Sequence, residues 1–333
     1  MSKLPTRNSR AAIGASALAL TVLAITAVPA AAASPAIKAR VVDGTLRVSG
    51  TPFADQIALR VSPDRTQLQV DAGDDGTADA TFDLNSFNAI VVKAGRGNDL
   101  VRLDTANGAF TTGTPTFVYG GKGDDTLIGG SGNETFFGGS GNDFVDGNGG
   151  ADTAFLGAGD DTFVWDPGDG SDVVEGGSGN DTHIFNGAGG NEIFEATPNF
   201  GRVTFTRNLG NIVMDLNDIE TLDVRALGGS DTVTVNDLTG TGLTNVNVDL
   251  AASIGGATPD GLADTVQVNG TKGDDTIHAA ADGGTVSVTG LAATVRISHA
   301  DAASDTLVID SVTGNDAVTV DPAVNGLIQV SVQ

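Results

Sequence analysis

The sequence predicts an all-β fold, a parallel β-solenoid with irregular β-rich flanks, and three observations predict it. Five nine-residue units run without a gap from Gly120 to Val164: GGKGDDTLI, GGSGNETFF, GGSGNDFVD, GNGGADTAF and LGAGDDTFV. A fixed short period marks a chain that stacks one small unit upon the next. Much of the remaining sequence is short strand-like text broken by Gly, Asn and Asp turns, such as LRVSG, QIALRV and GRVTFTR. Composition agrees. The 333 residues include 47 glycines and only 5% aromatics, too few for a large globular core, while 40% hydrophobic residues is too many for disorder.

Each unit keeps Gly at its fourth position and an acid at its sixth: Asp125, Glu134, Asp143, Asp152 and Asp161. The first six residues read as a GGxGxD loop and the last three as a short strand. The eighth residue points inward: Leu127, Phe136, Val145, Ala154, Phe163. Glycine tolerates positive φ and close approach of the backbone to a neighbour. The pattern places Gly121, Gly123, Gly130, Gly132, Gly139, Gly141, Gly157 and Gly159 in these loops. Trp165 and Asp166 then insert two residues before PGDGSDVVE and GGSGNDTHI resume, with Asp172, Gly177, Gly179 and Asp181 in register. Upstream, AGRGNDLVR is a further copy carrying Asp99. Glu134 departs from Asp, and its longer arm is expected to weaken one site. The unit with Asn148 and Ala154 is expected to form a thinner rung.

These units resemble RTX (haemolysin-type) calcium-binding repeats. The resemblance implies a β-roll in which two units make one coil and stacked loops hold a calcium ion between them. Loops eighteen residues apart then share a side, pairing Asp125 with Asp143, Asp143 with Asp161, and Glu134 with Asp152. Across the insertion the pairs are Asp152 with Asp172 and Asp161 with Asp181. The donor chemistry points the same way. A carboxylate plus loop carbonyls is an all-oxygen set suited to calcium, which accepts 6–8 oxygens flexibly, whereas magnesium demands a tighter octahedron. Loops without His or Cys argue against zinc and copper. Columns of acids without an ion would repel, so the repeat core is expected to order on calcium.

The flanks follow. Residues 1–33 read as a secretory signal peptide, with Lys3, Arg7 and Arg10 ahead of the apolar run Ala11–Val28 and a small-residue cleavage site. Residues 34–93 read as a β-rich cap and 94–184 as the calcium-binding β-roll, with the strict repeats at 120–184. Residues 185–333 read as a degenerate continuation of the solenoid, with a separate β-sandwich as the rival. Within the cap, Asp71, Asp75, Gly76 and Asp79 fall at EF-hand positions, but flanking helices and the closing Glu are missing, so a β-hairpin is the better reading. In the C-terminal half the inward residues include Val266, Ile277, Val286, Val295, Leu307 and Val318. Asp275 and Asp316 are its candidate ion ligands, and Asp231 a weaker one.

Charge and motifs narrow the function. Without the leader, 42 acids face 14 bases, a net charge of −28 that disfavours nucleic acid and anionic lipid as partners. The chain has no cysteine, so disulfides do not hold it. There is no H-E-x-x-H, no G-x-S-x-G and no P-loop; His183, His278 and His299 are scattered, and strand packing is expected of the first two. The reading is a secreted, extracellular, calcium-binding repeat protein, not an enzyme, with a structural or surface-interaction role. The alternative is a secreted polysaccharide-acting enzyme or adhesin on a β-helix.

Overall fold

Alternating inward apolar and outward polar residues build two sheets of fourteen strands each in the computed structural model, which describes residues 36–333. The proposed leader lies outside the described residues. Each coil of the repeat block gives one strand to each sheet. The strands Thr116–Lys122, Glu134–Ser140, Thr153–Ala158 and Val173–Ser178 stack in parallel in the first sheet. Thr126–Ile128, Phe144–Asp146, Thr162–Trp165 and Thr182–Asn186 stack in the second. The eighth-position residues therefore form two inward columns. One runs Val118, Phe136, Ala154, Val174 and the other Leu127, Val145, Phe163, His183, all fully buried. Burying each larger apolar side chain contributes about 1.5–3 kcal/mol, so the thin core is summed from many small layers.

An outer ladder reinforces the register. Tyr119, Phe137 and Phe155 stack with ring centroids 4.5 and 5.2 Å apart, and the Lys93 ammonium sits 5.1 Å from the Tyr119 ring. The two-residue insertion also recurs. Trp165 pairs with Phe185 in the next coil, their rings parallel at 4.0 Å, and Asn186 Nδ2 donates to Asp166. The indole Nε1–H donates to the Gly170 carbonyl at 2.7 Å.

Three antiparallel excursions interrupt the winding. They are Gln56–Val61 through Asp83, Ile193–Asn199 through Asn217, and Thr276–Asp282 through Ser298, each a three-stranded meander inside one sheet. The C-terminal strands remain in the same two sheets, continuing in parallel through Asn245–Asp249, Thr265–Asn269 and Thr306–Asp310. Val266, Ile277, Val286, Val295 and Leu307 all face the core; Val318, near the end, is partly buried.

Residues 73–79 form the loop of a hairpin between Gln67–Ala72 and Ala80–Asp83, with Asp71 at the end of the first strand. Asp71 is ion-paired with Arg60 at 2.7 Å and accepts the N–H groups of Asp75 and Gly76. Its oxygens are thus engaged by the protein. His183 packs in the core as its inward position requires, but His278 lies on the outer face, half-exposed, with Nε2 3.1 Å from Asp321. One residue past the inward Ile277, it takes the outward side of the pleat.

Candidate metal centre

The sixth-position acids stand directly over one another. The N–H of Asp99 donates to Asp125 Oδ1, that of Asp125 to Asp143, that of Asp143 to Asp161, and that of Asp161 to Asp181, at 2.7–2.9 Å. Asp55 begins this first column by donating to Asp99, and Glu220 ends it by accepting from Asp181. A second column on the opposite side runs Glu134, Asp152, Asp172 with bonds of 2.6 and 2.8 Å. Every pair expected from the eighteen- and twenty-residue spacings is brought together.

A second ladder lies one residue earlier and runs in reverse. Asn98 Oδ1 accepts the N–H of Asp124, Asp124 that of Asn142, Asn142 that of Asp160, and Asp160 that of Asn180, at 2.8–3.0 Å. Each coil is held to the next by carboxylate or amide acceptors in both directions. Asn and Asp alternate strictly in this ladder, so no two carboxylates are adjacent.

Glycine is required where the coils touch. Gly121, Gly139, Gly157 and Gly177 have φ between +107° and +120°. A Cβ on any of them would come under 3.0 Å from the carbonyl oxygen of the corresponding glycine one coil before. Gly123, Gly141, Gly159 and Gly179 are equally constrained, with φ of +111° to +144°. Among the described residues no group donates to the carbonyls of Gly123, Gly141 and Gly159. Gly130 and Gly132, in the second column, have no positive φ; their side-chain space is filled by Thr111 instead.

The carboxylates are left half-satisfied. The second oxygens of Asp99, Asp125, Asp143, Asp152, Asp161 and Asp181, and Oε1 of Glu134, are buried without a hydrogen-bond partner. Burial outweighs the donated N–H groups and pushes the acids up: Asp125 and Asp181 to about 6, Asp99, Asp143 and Asp172 to about 7, Asp152 to about 9. Glu134 and Asp161 are raised for the same reason. A buried acceptor with no donor costs about 1–3 kcal/mol, and more when charged. A hard cation would relieve that cost by supplying the missing positive charge. Among the described residues no three acidic or histidine side chains converge on one point. An ion here would draw carboxylates from successive coils and complete its shell with carbonyls, a donor set that fits calcium.

The C-terminal half solves the same problem differently. Glu192 is the sixth residue of GAGGNEIFE, a unit that follows a second two-residue insertion, Phe185–Asn186. Both side chains of the Glu192–Arg207 ion pair are buried, and the guanidinium lies 5.2 Å from the Trp165 ring. An internal cation thus neutralises this loop. Beyond it Glu192, Asp231, Asp264 and Asp305 form a third column with bonds of 2.7–3.1 Å. Asp275 stacks on Asp316 at 2.8 Å, but its oxygens already accept the N–H and hydroxyl of Thr271. Glu192, Glu220 and the fifth-position ladder escape a reading of the sequence that tracks sixth positions through Asp181. The GAGGNEIFE register and the Asn/Asp alternation were the available signals.

The fold and these loops define a parallel β-roll of stacked acid loops. Residues 116–145, 128–163 and 167–182 match the RTX calcium-binding nonapeptide repeat family, in four copies. The chain therefore carries calcium-binding RTX repeats. Among curated proteins no match is found. A crystal structure of the extracellular lipase LipA from Serratia marcescens aligns with 64% of this chain and 43% of its own, at 14% identity and a TM-score of 0.20. That likeness is too slight to carry an argument about fold or activity. Among the described residues no helix is long and apolar enough to cross a membrane.

Proposed function

We propose that this chain is a secreted, extracellular protein whose calcium-binding β-roll orders on calcium and serves a structural or surface-interaction role. The observation that carries the reading is the first column, where five successive buried carboxylates each keep one oxygen without a partner. The metal-free stack holds buried carboxyl oxygens without partners, which an ion satisfies, so binding and folding are coupled. Extracellular modules bind calcium at roughly 10⁻⁴–10⁻³ M, which leaves such a chain open inside the cell and closed outside. The acidic surface and the leader at residues 1–33 support export.

Circular dichroism and tryptophan fluorescence of the leaderless chain during a calcium titration test this. Trp165, fully buried against Phe185, reports packing at the insertion. A cooperative gain of β signal with a shift in indole emission is expected. No change up to about 10 mM calcium, well above the range for extracellular modules, would sink the reading. Detection of the mature chain in the culture medium, beginning after Ala33, checks export.

A further inference from the structure

Four acid stacks begin with a carboxylate that has no acid before it; Arg207 closes Glu192, and the other three are finished in two ways. At the head of the first column, Asp55 accepts the Thr51 N–H at 2.6 Å and the Thr51 hydroxyl at 3.1 Å. Asp275 does the same with Thr271, at 2.7 and 2.9 Å. A threonine four residues earlier closes both carboxylates. Glu134, at the head of the second column, has Gly130 in that place, and its Oε2 accepts the Gly130 N–H at 2.7 Å.

The missing threonine comes from elsewhere in the chain. Thr111 lies in the non-repeating loop between Leu100–Asp104 and Thr116–Lys122, and is 1% exposed. Its backbone fills the side-chain space of Gly132. Its Oγ1 and Glu134 Oε1 both lie against Gly130: a Cβ there would be 2.7 Å from the first and 3.6 Å from the second. Both oxygens are buried without a partner in full hydrogen-bond geometry, yet the Thr111 hydroxyl is near enough to Glu134 to oppose the upward push of burial on its carboxyl. The Glu134 residue is 2% exposed. A depression of about 390 Å³, lined by Thr111, Thr114, Phe117, Asn133 and Thr135, opens beside Thr111.

We infer that Thr111 is a calcium ligand, its hydroxyl oxygen joining the Glu134 carboxylate in an ion site that closes the open end of the second column. This rests on the calcium-binding reading of the repeats. A carboxylate and a hydroxyl are both hard oxygens, and a divalent cation bound between them takes a lone pair from each. The site also gives a reason for Glu at this position. With Oε2 turned back to cap its own loop, the extra methylene carries Oε1 toward Thr111, so the departure that seemed to weaken a site serves a different one.

Isothermal titration of the full leaderless chain with calcium chloride tests it. Thr111→Val keeps the shape and removes the oxygen, whereas Thr111→Ser keeps the oxygen. Thr111→Val is expected to bind one calcium fewer than wild type, or to weaken one step by about tenfold or more, the usual effect of losing support at a metal site. Thr111→Ser keeps the wild-type count. Melting in saturating calcium, beside wild type, checks that the valine variant folds; if it does not, Glu134→Asp, which retains the charge but withdraws the oxygen, carries the same expectation. A Thr111→Val titration identical to wild type overturns the inference, as does a serine variant that loses the ion equally. If wild type itself binds no calcium, the functional reading fails instead, and the two failures are distinct.

Discussion

The two acid columns of the repeat block are written in nearly the same nine letters, yet they are different structures. The first runs through five coils with uniform positive-φ glycines and paired ladders at positions five and six. The second spans three acids, and its glycines differ from loop to loop: Gly130 and Gly132 have no positive φ, Asn148 takes φ +53°, and Gly150 takes φ +143°. The difference teaches that the motif alone does not set the ion environment. What stands eighteen to twenty residues away does. Inside the first column every loop meets a copy of itself, whereas the second meets Thr111 at one end and the meander carrying Arg207 beyond the other.

The sharpest way to break the contrast is to remove the internal cation. Arg207→Met leaves Glu192 buried without its partner and is expected to destabilise the chain by about 3–5 kcal/mol in urea unfolding. A loss below about 1 kcal/mol would show that Glu192 does not depend on Arg207 for compensation. Next comes backbone conformation. Gly139→Ala must accept φ +120° and a clash with the Gly121 carbonyl, costing about 2–4 kcal/mol. Gly130→Ala, with no positive φ, should cost less in the same melt; equal costs would mean that the columns are equally strained.

Carboxylate removal has a smaller effect, read in calcium affinity. Asp143→Asn touches two coil contacts inside the first column, Asp172→Asn one at the end of the second. The first should shift the calcium midpoint upward by about tenfold relative to the second, about 1.4 kcal/mol. The reverse order would place the tighter ions in the second column.

The smallest effect is on pH dependence. Asp231 and Asp264, outside the nonapeptide block, are raised to about 7 by burial, with neighbouring carboxylates adding to it. Their folded state holds protons that the unfolded chain releases near pH 4. The stability they contribute is full below that pH and is lost as pH rises toward 7. In saturating calcium the melting temperature should therefore retain a decline between pH 5 and 8 that Asp231→Asn with Asp264→Asn flattens. A decline unchanged in the double variant would move its source elsewhere.

Much of this was legible before any coordinates. A nine-residue period with an apolar eighth residue fixes the coil, because a slip of one residue would turn Phe136 or Phe163 to solvent. The acid pairs follow from that spacing. The meanders were not legible, since an antiparallel strand such as Arg202–Arg207 alternates exactly as a parallel one does. That is also why Glu192 was missed: its unit is in register, but the inserted strands carry it away from Asp172. Thr111 had no signal at all, because its role depends on a loop that repeats nothing.

The alternating fifth-position ladder gives the array a parity. Asn98, Asp124, Asn142, Asp160 and Asn180 form a two-letter sequence read across coils, and every contact joins unlike letters. Duplicating one coil of eighteen residues would set two carboxylates or two amides side by side, and the carboxylate pair would repel at one strand spacing. Duplicating two coils preserves the order. The column therefore lengthens without conflict in steps of thirty-six residues, twice the spacing of its own coils.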